Sequence, residues 1–174
     1  MEDPLASRPL QRSYSRIERE RRFELSELPA TVDRTRFERL RDCYISGTTL
    51  RIRRVESPDG TVRVIKLGQK VADPEAPDDA RRRRMTTLYL DPSEEVALAC
   101  LRGRRSVKRR YYHVEGSRIY AIDVYEEPVS AVGRMLAEVE CDSDEDLAAV
   151  AVPAWALREV TDDPAWSGAV IASE

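Results

Sequence analysis

Charged residues two positions apart recur along this chain. Glu18, Glu20 and Arg22 form one set. Arg51 with Arg53, Lys108 with Arg110, and Glu138 with Glu140 form others, and Arg84 stands two residues before Thr86. Residues i and i+2 of an extended strand share a face, so each set is displayed together. The intervening positions are apolar where the pattern is clearest, with Ile52 between the arginines and Val139 between the glutamates. Asp123 adds a fifth carboxylate. Carboxylate oxygens are hard donors suited to Mg²⁺, and arginine and lysine hold phosphate oxygens. Brought together, the two signs would bind a polyphosphate with its divalent cation.

Such a grouping needs a scaffold that turns one face of many strands toward one place. A single strand of this kind would simply bury its apolar face and leave its charges in water. Repetition along the chain changes the reading, because a closed barrel points one face of every strand inward and lets helices cover the outside. Unpaired buried charge is costly, so the interior must be wet and filled by a ligand that satisfies both signs. The expected fold class is mainly β (α+β), a closed antiparallel β-barrel with a few peripheral helices.

The elements are readable in outline. Residues 1–14, with Pro4, Ser7, Pro9 and Ser13, predict a disordered tail, and 15–174 a single domain. Strand character begins at Arg16. Asp33 to Leu40 reads as a short helix. Thr48–Val55 and Thr61–Leu67 read as a hairpin around Ser57-Pro58-Asp59-Gly60, a sequence with turn chemistry. Val71–Ala80 reads as a loop and Arg82–Leu90 as a strand. Asp91-Pro92-Ser93-Glu94 is a helix start, and that helix is expected to run to about Leu101. Arg104–His113, Arg118–Tyr125 and Arg134–Cys141 are further strands, Ser143 and Asp146 begin a short helix, and the tail with Trp155 and Trp166 is expected against the outside of the sheet. The count is seven or eight strands.

Composition narrows the function. Charged residues make up 35% of the 174, yet 29 basic and 32 acidic side chains leave a net charge of only −3. That balance argues against a nucleic-acid binder. No apolar run is long enough to span a bilayer, and the first residues lack the apolar region of a secretory signal. Cys43, Cys100 and Cys141 are odd in number and widely spaced, which predicts reduced, buried thiols in the cytoplasm. The single histidine, His113, has strand parity opposite to Lys108 and Arg110, so it is expected to point outward. No serine or cysteine has a local histidine partner, and no glycine-rich phosphate loop is present.

The ordered set of strands resembles the CYTH, or triphosphate tunnel metalloenzyme, family. Ile17-Glu18-Arg19-Glu20-Arg21-Arg22 resembles its opening strand, and Gly47-Thr48-Thr49-Leu50-Arg51-Ile52-Arg53 its second motif. Lys66 matches the next basic position, and Lys108-Arg109-Arg110-Tyr111 the following one. Ala121 to Tyr125, Leu136-Ala137-Glu138-Val139-Glu140 and Arg158-Glu159-Val160-Thr161 resemble the last three. The resemblance runs in order from about residue 16 to 170. It implies a tunnel of eight antiparallel strands acting on a triphosphate with Mg²⁺ or Mn²⁺. Glu18, Glu20, Asp123, Glu138 and Glu140 are then the candidate catalytic and metal-binding residues. Arg22, Arg51, Arg53, Lys66, Arg84, Lys108 and Arg110 are the candidate phosphate ligands.

The chain departs from the family in three places. Arg22 replaces a lysine. The middle strand, Arg84-Met85-Thr86-Thr87, lacks the acidic residues of many bacterial members. Thr49 stands where thiamine-specific members carry tryptophan, which argues against thiamine. The expected activity is metal-dependent hydrolysis of inorganic triphosphate, short polyphosphate or a nucleoside triphosphate. A non-catalytic polyphosphate or nucleotide sensor and an adenylate cyclase are the alternatives. Oligomeric state is left open, a homodimer being the commonest soluble assembly.

Overall fold

The computed structural model describes residues 14–172. The tail expected over 1–14 therefore lies outside the described residues but for Tyr14. Among the described residues nine strands form: β1 (Ser15–Leu25), β2 (Glu38–Ile45), β3 (Leu50–Glu56), β4 (Val62–Ala72), β5 (Arg82–Leu90), β6 (Gly103–Glu115), β7 (Arg118–Glu127), β8 (Met135–Cys141) and the two-residue β9 (Arg158–Glu159). The helices are short: α1 (Pro92–Leu98), α2 (Asp144–Ala148) and α3 (Gly168–Ile171). None of the described helices is long and apolar enough to cross a membrane.

The sheet runs β5-β4-β3-β2-β6-β7-β8-β1, and β1 pairs with β5 to close it. All pairings are antiparallel. One edge of β1 is shared: Ser15 to Arg19 pair with β5, while Phe23 and Glu24 pair with β9. The expected closed eight-stranded barrel is thus present, with β9 as an addition.

Much of its buried apolar surface lies on the outer side of the wall, under the segments that wrap it. Phe23, Tyr111, Tyr120, Ile122, Ala137 and Val139 form one cluster with Val32 and Val150, from the segments after β1 and after α2. Cys43, Ile45, Ile52 and Ile65 form a second, against which Leu98 of α1 packs. The barrel's hydrophobic stabilisation therefore lies between its wall and its wrapping. A third cluster, Tyr125, Leu136, Val160, Trp166 and Ile171, sits where the C-terminal segment meets the barrel end.

Several expectations need correction. The helix expected over Asp33 to Leu40 is a turn, with Arg36 N donating to Asp33 O at 3.2 Å, followed directly by β2. Pairing of Leu40 with Lys108 and Val55 overrides the local helical spacing. The strand expected to stop at Leu67 runs on to Ala72 through Gly68. A Cβ at Gly68 would come within 3.1 Å of the Met85 Cε, so glycine here permits close approach across the pair. The helix beginning at Asp91 stops at Leu98, short of Leu101, while Glu94 accepts from Asp91 N at 2.8 Å as its start requires. Ser143 accepts from Asp146 N and caps α2. Trp155 does pack on the outer face, 5.0 Å from Tyr120, but Trp166 packs at the barrel end. Of the cysteines, Cys43 is buried, Cys141 half-buried and Cys100 exposed; all are free.

Candidate functional site

A cavity of about 650 Å³ occupies the barrel interior. Of the predicted carboxylates, Glu18, Glu20, Glu138 and Glu140 line it; of the predicted cations, Arg22, Arg51, Arg53, Lys108 and Arg110 do. A second cavity of about 550 Å³ meets the same Arg110, Glu138 and Glu140 from the side of Tyr112 and Arg118.

The basic side of the lumen is braced from behind. Arg53 lies in a two-pronged pair with Asp42, at 2.6 Å and 2.7 Å, and Arg51 Nε stands 3.9 Å from the same carboxylate. Burial alone would raise the Asp42 carboxyl, but Arg53 and Arg51 outweigh it and hold it well below the ordinary carboxylate range. Asp123 repeats the device. Arg110 donates to its two oxygens at 2.7 Å each, and the Lys108 ammonium joins them. Asp123 is fully buried. Burial opposes its charge, and Arg110 and Lys108 restore it, again lowering the carboxyl. With its oxygens engaged in this way, Asp123 aims cations into the cavity; it does not itself line it.

The acidic side is built by β1 and β8. Glu20 stands opposite Glu140 in register, and Arg22 opposite Glu138. Burial, together with Glu138 and Glu18, pushes the Glu20 carboxyl up against the lowering effect of Lys70. Burial and the neighbouring Glu18 and Glu20 likewise raise Glu140. Glu138 behaves oppositely: burial is outweighed by Arg110, Lys108 and Lys70, and its carboxyl lies far below the ordinary range. Arg110 reaches it at 2.8 Å. Lys70, from β4, places its ammonium 2.6 Å from Glu18 and 2.9 Å from Glu20. Among the described residues no three acidic, histidine or cysteine side chains converge closely enough to enclose a metal ion as they stand. The donor set is nevertheless of the right chemistry, being hard carboxylates, two of which, Glu18 and Glu20, already share one cation.

Three predicted phosphate ligands sit differently from the others. Arg84 is not on the cavity; Arg83 and Met85 are. The strand parity is therefore the reverse of the one expected, and Arg82 on the Arg84 face pairs outside with Asp73 and Asp144. Lys66 shares the face of Gly68 and Lys70, beyond the main lining, with its ammonium 5.7 Å from the Tyr89 ring centroid. Burial and the nearby Arg53 lower its pKa. Arg22 lines the cavity, but its guanidinium donates to Trp166 O at 3.1 Å and to Thr161 O. Its backbone N also donates to Thr161 Oγ1 at 2.9 Å. Arg22 thus fastens the C-terminal segment across the barrel end, and Ser167, Gly168 and Ala169 of that segment complete the wall.

His113 lies outside the barrel, edge-on to Trp155 at 5.3 Å, with a ring nitrogen 3.2 Å from Thr31 Oγ1. Tyr44, Lys70, Arg83 and Arg104 on the cavity, and Asp42 behind it, are among the site residues that sequence reasoning missed. The alternation of Asp42 with Tyr44, and of Lys66 with Lys70 through Gly68, carries the signal once β2 and β4 are given their full lengths.

No family model matches the chain, and no curated protein matches it in sequence. Solved structures do. Two crystal structures of the protein NE1496, described in one of them as an inorganic triphosphatase, superpose with TM-scores of 0.57 and 0.56 at 23% and 24% identity. Each match covers 89% of this chain and 97% of that one. A candidate adenylate cyclase of Bacillus halodurans superposes with a TM-score of 0.52 at 13% identity, over 78% of this chain and 86% of that one. The likeness is one of fold.

Proposed function

From a barrel shared with an inorganic triphosphatase and a lumen walled by opposite charges, we propose that this chain hydrolyses a phosphoanhydride bond of a triphosphate, inorganic triphosphate foremost, with Mg²⁺ or Mn²⁺. The observation that carries the reading is the division of one cavity into a basic side braced by Asp42 and Asp123 and an acidic side formed by β1 and β8. A linear triphosphate is a flexible polyanion, and Arg51, Arg53, Lys108 and Arg110 are fixed in advance by their buried carboxylates. Their orientation is settled before substrate arrives, so binding energy is not spent on ordering them. Phosphoryl transfer is catalysed chiefly by positioning and by stabilising charge on the transferred oxygens, which is what such a wall supplies.

Glu18, Glu20, Glu138 and Glu140 fit a hard divalent cation by donor type. That cation, when bound, neutralises phosphate charge and lowers the pKa of water. Burial and the neighbouring carboxylates raise Glu20 and Glu140 while no cation is bound, and a bound divalent cation would relieve that repulsion. The expected products are orthophosphate and the shortened polyphosphate.

A binding module without turnover is the second reading, favoured by Met85 standing on the lumen face of the middle strand, where a carboxylate would widen the acidic side. Phosphate release from inorganic triphosphate with Mg²⁺ and with Mn²⁺ tests both. Release that is abolished by Glu140→Gln, with KM raised by Arg53→Ala, is the expected result. Tight triphosphate binding with no release under either ion would establish the binding module instead.

A further inference from the structure

The function proposed above requires the β1 and β8 carboxylates to accept a divalent cation, yet a side chain already serves the two on β1 as one. Lys70 does not belong to a neighbouring strand: β5 lies between β4 and β1. At the level of Lys70, β5 offers Met85, its register partner, which carries no charge. The lysine stem therefore extends across the inner face of β5 to bring its ammonium 2.6 Å from Glu18 and 2.9 Å from Glu20. Both carboxylates are buried. Arg16 stands farther off, 3.8 Å from Glu18, and Arg22 3.9 Å from Glu20, so without the ammonium these buried like charges would be weakly compensated, a costly arrangement.

We infer that Lys70 is the resident counter-ion of this cluster, displaced when a divalent cation binds, and that it thereby sets the cluster's affinity for that cation. The inference deepens the proposed function and rests on it. Two positive groups cannot share the small gap between Glu18 and Glu20, because their repulsion is strong at such distances inside a protein. Glu18 and Glu20 converge on the one ammonium, and among the described residues no third acidic side chain joins them closely enough to enclose a metal ion. Lysine suits the task because its charge rides on a flexible four-carbon stem, and its side chain retains 35% of its exposure, toward the cavity. Once released, the ammonium remains in a cavity that it shares with Arg51 and Arg53, where bound phosphate oxygens are the available anions. Cation and triphosphate then favour each other's binding, since the first frees a charge that the second uses.

The test is Mn²⁺ binding to the full chain without triphosphate, followed by electron paramagnetic resonance of the free ion and by thermal unfolding. Lys70→Met keeps the stem and removes the charge. It is expected to bind Mn²⁺ at least tenfold more tightly than wild type, to melt lower in metal-free buffer, and to regain the difference when Mn²⁺ is added. Lys70→Arg is expected to bind as wild type does. Triphosphate should tighten Mn²⁺ binding to wild type and do so less in Lys70→Met. Should Lys70→Met fail to fold without metal, folding on addition of Mn²⁺ supports the inference, and failure to fold even then refutes it. Equal or weaker Mn²⁺ affinity in Lys70→Met, with phosphate release by wild type intact, overturns the inference alone. Absence of Mn²⁺ binding by both proteins, with no phosphate release, overturns it together with the proposed function.

Discussion

Asp42 should be among the most sensitive polar positions of the barrel. Its side chain is wholly inaccessible and lies in a two-pronged pair with Arg53, itself 11% exposed. Asp42→Asn preserves the volume and one acceptor but removes the charge, leaving Arg53 and Arg51 uncompensated beside Lys108. Breaking one partner out of a buried pair costs about 3 kcal/mol or more. For a chain of this length that is roughly 6–12 °C in Tm, at about 2–4 °C per kcal/mol. The pH dependence supplies a second measure. The folded-state carboxyl of Asp42 lies below its ordinary value of 3.8. The stabilisation is therefore fully present above that value and is lost as pH falls through the lower, folded-state one. Thermal unfolding followed by circular dichroism from neutral to acidic pH should show wild type and Asp42→Asn well separated at neutral pH and converging in acid. A separation at neutral pH no larger than about 2 °C, as for an exposed ion pair, would refute the claim that this carboxylate braces the basic wall. So would a separation that widens on acidification.

Other outcomes follow from the same geometry. Because Arg83 lines the cavity and Arg84 does not, Arg83→Ala should raise KM for triphosphate roughly tenfold, the size of one charge-assisted hydrogen bond. Arg84→Ala should leave KM unchanged, and steady-state phosphate release compares the two directly. Lys66 has a lowered pKa from burial and from Arg53, so its charge is lost on the alkaline side earlier than that of an ordinary lysine. Because Lys66 lies beyond the cavity lining, as Arg84 does, losing that charge should leave KM for triphosphate unchanged; a KM that rises with pH in wild type but not in Lys66→Arg would contradict this.

Much of this could be read from the chain because alternation is a strong signal. Arg51-Ile52-Arg53 and Glu138-Val139-Glu140 each declare which face is wet, and both lie as that reading requires. The signal failed where it lost its phase. Four consecutive arginines, Arg81 to Arg84, present charge on both faces, so choosing Arg84 over Arg83 rested on Thr86 alone, and the structure puts Met85 inside instead. Asp42 was obscured by a neighbouring stretch with helical spacing, Phe37 and Leu40, whose strand conformation is imposed by distant β6. Lys70 lay beyond Gly68 and Gln69, which read as the end of a strand. Arg22 has the expected parity and lines the lumen, but its attachment to Thr161 and Trp166 depends on a segment about 140 residues later in the chain, which no local pattern can register.

The outward-facing core has a bearing on how such a protein can change. In most small domains the side chains that meet a ligand compete for space with those that hold the chain together. Here Phe23, Ile122 and Val139 cohere with the wrapping on one side of the wall, while the ligand-facing groups occupy the other. Mutation can alter which anion the lumen prefers and leave the adhesive layer undisturbed, provided each new inward charge arrives with a partner. Diversification of specificity on this frame is constrained by electroneutrality more than by shape.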